Sequence, residues 1–197
     1  PSELRIVSCH IGSGASVCAI DRGRSVDTSM GMTALEGLVM GTRCGDLDPG
    51  VPGFVARALG LTLAQIEAAL YSDSGLKGLS GESSDLRIVE KRAGEGVAAA
   101  QLAMQVHAYR VRKYIGAYAA AMGGCDAVAF TGGAGENSAA LRRRIVDGLE
   151  FIGLELGRVN TNGDRGDCIG QSRAWRSRPH NSPLLSTACP SSVATSA

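Results

Sequence analysis

Residues Asp27–Asp48, DTSMGMTALEGLVMGTRCGDLD, carry the glycines Gly31, Gly37, Gly41 and Gly45 and a single arginine, Arg43. Glycine stands where backbone turns sharply or comes close to a ligand. An arginine on such a loop offers a planar, permanently charged fork that suits phosphate or carboxylate oxygens. Asp46 and Asp48 follow closely enough to hold that fork in place. A surface loop with an ordinary ion pair accounts for these residues equally well, so the flanking segments decide.

Upstream, Leu4–Cys9 (LRIVSC) reads as a buried strand, Ala15–Ile20 (ASVCAI) as a second and Ser25–Thr28 as a third. The first two form a hairpin with Gly12, Ser13 and Gly14 at its tip, where N–H groups and hydroxyls can converge on an anion. Many such tips bind nothing. Downstream, the pattern predicts a short helix over Ala34–Met40 with Thr33 as its N-cap. A helix at FVARALG, closed by Gly60, and a helix at LAQIEAALY, capped by Thr62, come next. Ser72–Asp85 reads as a long polar loop, and Ser84 or Asp85 caps the helix LRIVEKR behind it.

Met104, Val111, Ile115, Tyr118 and Met122 recur at helical spacing and predict one long helix over Glu95–Met122, ended by Gly123-Gly124. His107 lies near its apolar stripe as a packing residue; Arg110, Arg112 and Lys113 lie on its polar side. Asp126–Phe130 (DAVAF) reads as a buried strand, followed by TGGAGEN (Thr131–Asn137) and a helix from Ser138. A strand, a glycine turn and a helix N-terminus together suit an anion or nucleotide. The alternative is a tight turn with no ligand, against which the second phosphate-suited turn at Gly12–Gly14 weighs. The pattern is neither G-x-x-x-x-G-K-[ST] nor G-x-G-x-x-G, so those two nucleotide folds are unsupported.

Composition narrows the classes further. A net charge of +1, from 20 basic and 19 acidic residues, argues against nucleic acid as a partner. No apolar run reaches the roughly 18 residues of a membrane span. The six cysteines form no C-x-x-C pair, which speaks against a metal or disulfide framework and for buried thiols in a reducing cytoplasm. Glycine, at 27 of 197 residues, is about twice its usual share without a repeat, so the excess belongs to loops with special backbone needs.

HIGSGAS, SVDTSMGMTALEGLVMGTRCGDLDPG and FTGGAGENS, in this order and spacing, resemble the acetate kinase (acetokinase) family, and SGLKGLSGESSDLR resembles its adenosine-side loop. The resemblance runs from about Leu4 to Leu156 and is that of the family's C-terminal domain alone. It implies an α/β fold of the actin and sugar-kinase (ribonuclease H-like) type, a mixed sheet flanked by helices. It further implies reversible transfer of the ATP γ-phosphoryl group to acetate, giving acetyl phosphate and ADP, with Mg²⁺. The partners implied are the absent N-terminal half of the family and a second copy, since the family dimerises through this domain.

By position, the resemblance puts His10, Ile11, Gly12, Ser13 and Gly14 along the β- and γ-phosphates. It makes Arg43 the transition-state arginine. Asp85, Leu86 and Arg87 fall near adenosine, and Gly133, Ala134, Gly135, Glu136 and Asn137 form the nucleotide-side glycine turn. Departures from the family pattern carry their own implications. Ser13 replaces an Asn that is common there, and Leu86 replaces an aromatic. Ala34 replaces the Pro that walls the acetate-methyl pocket, which implies room for a larger acyl group. Residues 1–158 are expected to be the nucleotide-binding domain. Residues 159–197, with Trp175 and His180, are expected to be a solvated, disordered tail or the product of a shifted reading frame. That tail lacks the family's metal-associated glutamate; no Asp or Glu follows Asp167.

Overall fold

Alternation of apolar residues builds the sheet. The computed structural model describes residues 3–155 and 170–172. Strand β1 (Arg5–Ile11) buries Val7, Cys9 and Ile11, and β2 (Ala15–Asp21) buries Ala15, Val17 and Ala19. Period two on both strands gives one fully covered face. The two pair antiparallel from Arg5↔Asp21 to Ile11↔Ala15. Edge strand β3 (Arg24–Thr28) pairs with β2 and is exposed throughout.

Helices α1 (Gly50–Leu59), α2 (Leu63–Ser72), α3 (Gly75–Ser80), α4 (Leu86–Gly94) and α5 (Ala98–Ala121) follow. Thr62 caps α2 in a reciprocal capping box with Gln65, and Asp85 caps α4. Gly60 ends α1 in the left-handed region. The apolar stripe of α5 buries Met104, His107, Val111, Ile115 and Tyr118 among alanines, and the helix lies against β1 and β2 with α3, α4 and the helix over Ala139–Val146 around it.

β4 (Ala127–Thr131) pairs parallel with β1 from Ile6↔Ala127 to His10↔Thr131. α6 (Gly132–Asn137) and α7 (Ala139–Val146) follow, with a 3₁₀ turn over Glu150–Ile152. β5 (Leu154–Glu155) and β6 (Gly170–Ser172) complete a mixed sheet in the order β3-β2-β1-β4-β6-β5. Among the described residues no single helix is long and apolar enough to cross a membrane.

Four local expectations change. Ala34–Met40 is not helical. Gly37 sits at φ +100°, and a Cβ there would lie 2.1 Å from the Ser29 carbonyl oxygen. Leu38, Val39 and Met40 are buried in succession, which a helix face cannot do. Thr33 Oγ1 accepts from Leu35 N–H two residues on, a local turn in place of a cap. Ser72–Asp85 is not all loop: α3 forms inside it and buries Leu76. The segment after β4 is a short helix rather than an open turn. Arg142 secures it by donating to the carbonyls of Gly135 (2.9 Å) and Glu136 (2.7 Å). Finally, Gly170–Ser172 joins the sheet as β6, between β4 and β5. The rest of the expected tail, with Trp175 and His180, lies outside the described residues. Of the cysteines, Cys9 and Cys125 are buried free thiols and Cys18 and Cys44 are half-buried free thiols. Burial pushes the Cys125 thiol up to about 11.

Candidate functional site

The parallel pairing of β1 and β4 fixes the site. Because His10 lies opposite Thr131, the hairpin tip after β1 and the glycine segment after β4 leave the sheet at the same end. The His10 ring Nδ1 and Thr131 Oγ1 are 3.1 Å apart. In open α/β sheets the crevice beyond the carboxyl ends of parallel strands is the usual ligand position.

A cleft of about 740 Å³ opens there, lined by four segments: Gly12 and Ser13, Gly41 and Thr42, residues 84–87 with Glu90, and Gly133 and Ala134 with Asn137 and Ser138. That volume is in the range of small-molecule sites. The segments meet at Gly41. Its N–H donates to the Ser13 carbonyl at 3.1 Å, and a Cβ there would lie 2.9 Å from the Ser84 carbonyl oxygen.

Of the residues expected near nucleotide, Gly12, Ser13, Asp85, Leu86, Arg87, Gly133, Ala134 and Asn137 line the cleft together. The others stand differently. Ile11 and Gly135 are buried, and Ile11 packs in the core. Glu136 turns back so that its Oε1 accepts from Gly132 N–H at 3.1 Å. Gly12 N–H is used within the tip, on the Gly14 carbonyl at 2.9 Å, so it is not a free anion donor.

Arg43 lies beside the tip: a Cβ on Gly14 would be 3.6 Å from its Nη1. The same nitrogen donates to the Ala34 carbonyl at 3.3 Å and approaches Met40 Sδ at 3.5 Å. The expected pairing of this fork with Asp46 or Asp48 does not occur. Asp46 pairs with Arg110 at 3.0 Å, and Asp48 accepts from Gly50 N–H at 2.7 Å. The reason is reach. Arg110 and Tyr114, one turn apart on α5, come at Asp46 from the other side.

Beyond the residues expected at the site, Gly41, Thr42, Ser84, Glu90 and Ser138 also line the cleft. Glu90 Oε1 accepts from Ser138 Oγ at 2.6 Å, and Ser138 caps α7 by accepting from Leu141 N–H. The signal for Glu90 is its place one helical turn after Leu86 on the same face of α4. At the cleft edge, Arg87 donates to Asp85 through Nε (3.1 Å) and Nη2 (2.6 Å), which pulls the half-buried Asp85 carboxyl down to about 2. No group of three His, Cys, Asp or Glu side chains that could hold a metal ion occurs among the described residues.

The family model of the acetokinases matches residues 1–174. The chain belongs to the acetokinase family. A curated acetokinase relative, the acetate kinase of Heliobacterium modesticaldum, is 53% identical over 161 residues, covering 82% of this chain and 41% of its own. The crystal structure of Porphyromonas gingivalis acetate kinase superposes with a TM-score of 0.81 at 46% identity, over 87% of this chain and 44% of that one. A propionate kinase from Francisella tularensis superposes with a TM-score of 0.80 at 36% identity, over 86% and 44%. The chain thus spans about two-fifths of the length of the acetokinases it matches. The α/β fold, a mixed sheet flanked by helices, is the one these acetokinase structures share.

Proposed function

We propose that this chain is the nucleotide-side, C-terminal domain of an acetate kinase, with residues 1–158 as its nucleotide-binding unit. It works with the remainder of that fold to move the γ-phosphoryl group between ATP and acetate. One observation carries the reading: two glycine-bearing segments line one cleft, with an arginine beside one of them. Glycines without Cβ atoms let backbone approach a polyphosphate, and Gly12–Ser13 and Gly133–Ala134 supply such surfaces. Asp85, Leu86 and Arg87, on the far side of the cleft, are assigned to adenosine.

Acetate is already anionic, so the reaction needs no strong base. A carboxylate oxygen forms a bond to the γ-phosphorus as the bond to the β-bridging oxygen breaks, and ADP leaves with the negative charge. The guanidinium of Arg43 sits between two anions that otherwise repel and neutralises the group in transit. Mg²⁺ would add charge neutralisation on the phosphate oxygens. Such an ion keeps several waters and is held largely through the substrate phosphates.

The test is Arg43→Ala in the enzyme completed with the portion this chain lacks. The expected loss of kcat is about 10³-fold, the scale of an arginine finger. Near-normal turnover would remove the role.

The acyl range is a second question. Ala34, whose carbonyl accepts from Arg43, stands where the family carries proline, and a propionate kinase is among the similar structures. This favours acceptance of propionate as well as acetate. Ala34→Pro should then lower kcat/KM for propionate relative to acetate, and an unchanged ratio would refute it. The homodimer expected from the family and the cytoplasmic location expected from the cysteines belong to this proposal, as does a divergent or frame-shifted tail. Sedimentation of the chain tests the dimer, and the coding DNA tests the tail.

A further inference from the structure

We propose that Asp46 is a positioning residue for Arg43 and that Arg110 and Tyr114 of α5 act through it; the proposal rests on the reading of Arg43 given above. The Asp46 carboxylate takes bonds from three sources. Gly37 N–H reaches Oδ1 at 2.9 Å, Arg110 Nη1 reaches Oδ2 at 3.0 Å, and the Tyr114 hydroxyl lies 3.1 and 2.9 Å from the two oxygens. Asp46 N–H returns a bond to the Gly37 carbonyl at 3.0 Å. Residues 37 and 46 are thereby tied into a closed loop with Arg43 inside it.

The same loop is gripped at two further places. His107 Nδ1 donates to the Val39 carbonyl at 2.8 Å. Amides at the start of α3 hold the next three carbonyls: Leu76 on Met40 (2.8 Å), Lys77 on Gly41 (2.9 Å) and Ser74 on Thr42 (2.9 Å). Asp46, Arg110, Tyr114 and His107 do not line the cleft. They fix the backbone on which Arg43 stands.

Arg110 has a second consequence. Asp46 is three residues from Arg43, and an unpaired carboxylate there would compete with the anions Arg43 is meant to meet. Arg110 neutralises it from the α5 side, with both side chains half-buried. Among the described residues Arg43 keeps no carboxylate partner. Burial and the neighbouring carboxylate push the Tyr114 hydroxyl up to about 12, so it stays a donor across the usable pH range.

Tyr114→Phe removes one hydroxyl, Asp46→Asn keeps an acceptor for Gly37 N–H while losing charge, and Arg110→Gln frees the carboxylate. In the completed enzyme each should lower kcat, by about 10²-fold for a displacement near 1 Å, while KM for ATP holds. In an Arg43→Ala background none should cost anything further. In the 197-residue chain itself, amide hydrogen exchange over residues 37–46 should quicken in all three while the melting transition stays cooperative. Losses that multiply with that of Arg43→Ala would overturn the proposal, and so would unchanged kcat in all three variants. Should Arg43→Ala prove harmless, the catalytic reading of Arg43 falls by itself. Hydrogen exchange then judges the brace: faster exchange over residues 37–46 supports it, and unchanged exchange overturns it.

Discussion

His107 is 1% exposed, with one ring nitrogen on the Val39 carbonyl and Nε2 buried without a hydrogen-bond partner. Burial penalises the imidazolium and holds the ring below its ordinary value of 6.5, and the bond to the Val39 carbonyl offsets this only in part. In the unfolded chain the same ring titrates near the ordinary value. The unfolded state therefore binds the proton first as pH falls. The full stability is present above about 6.5 and is lost below it, until the folded ring also protonates. One proton sets a slope of at most about 1.4 kcal/mol per pH unit. Urea unfolding from pH 7.5 to 5 should show this decline in the native chain. His107→Asn, which keeps a donor for Val39 but no titrating group, should be flatter over the same window. Parallel curves for the two proteins would show that this ring does not set the acid sensitivity.

At the scale of elements, the loop between Ser29 and Asp46 is held by bonds from distant parts of the chain. Gly37→Ala would meet the Ser29 carbonyl at 2.1 Å and adopt φ +100° as well. Left-handed backbone costs about 1–2 kcal/mol and overpacking a further 1–3, so a loss of at least about 2 kcal/mol is expected by denaturant titration. Gly81→Ala is the control: φ is +68° and nothing lies within 4 Å of the added Cβ, so only the backbone cost of about 1 kcal/mol applies. Equal losses would mean that the loop yields to accommodate the methyl group.

The same contrast explains what the sequence made legible. The long α5 stripe, the Thr62 cap and the hairpin turn carry their signals within a few residues, and all three formed. Ala34–Met40 has an acceptable helical composition, but its conformation is set by His107, 68 residues from Val39, and by Arg110, 64 residues from Asp46. No local pattern records such partners. The pairing of Asp46 with Arg110 rather than Arg43 was hidden for the same reason. Gly41 was legible because close backbone approach, here to the Ser84 carbonyl oxygen, demands glycine. Glu90 and Ser138 were not, because a carboxylate on α4 and a helix cap look the same whether or not a cleft passes them.

At the scale of the whole molecule, the shape of the site bears on what this chain does by itself. It spans 41–44% of the length of the relatives and structures reported above. Its cleft has four lining segments. Arg43 and the half-buried Ala34 lie outside that lining. Binding and chemistry should therefore separate. Titration of the 197-residue chain with Mg-ATP should give saturable heat or fluorescence change, abolished when Gly133 carries a bulky side chain into the cleft. Trapping with hydroxylamine should detect no acyl phosphate until the missing portion is supplied, because positioning the acyl group is the larger part of the rate. Turnover by the chain alone at the rate of the completed enzyme would place the acyl pocket within these residues. Absence of any nucleotide binding would move the nucleotide site out of this cleft.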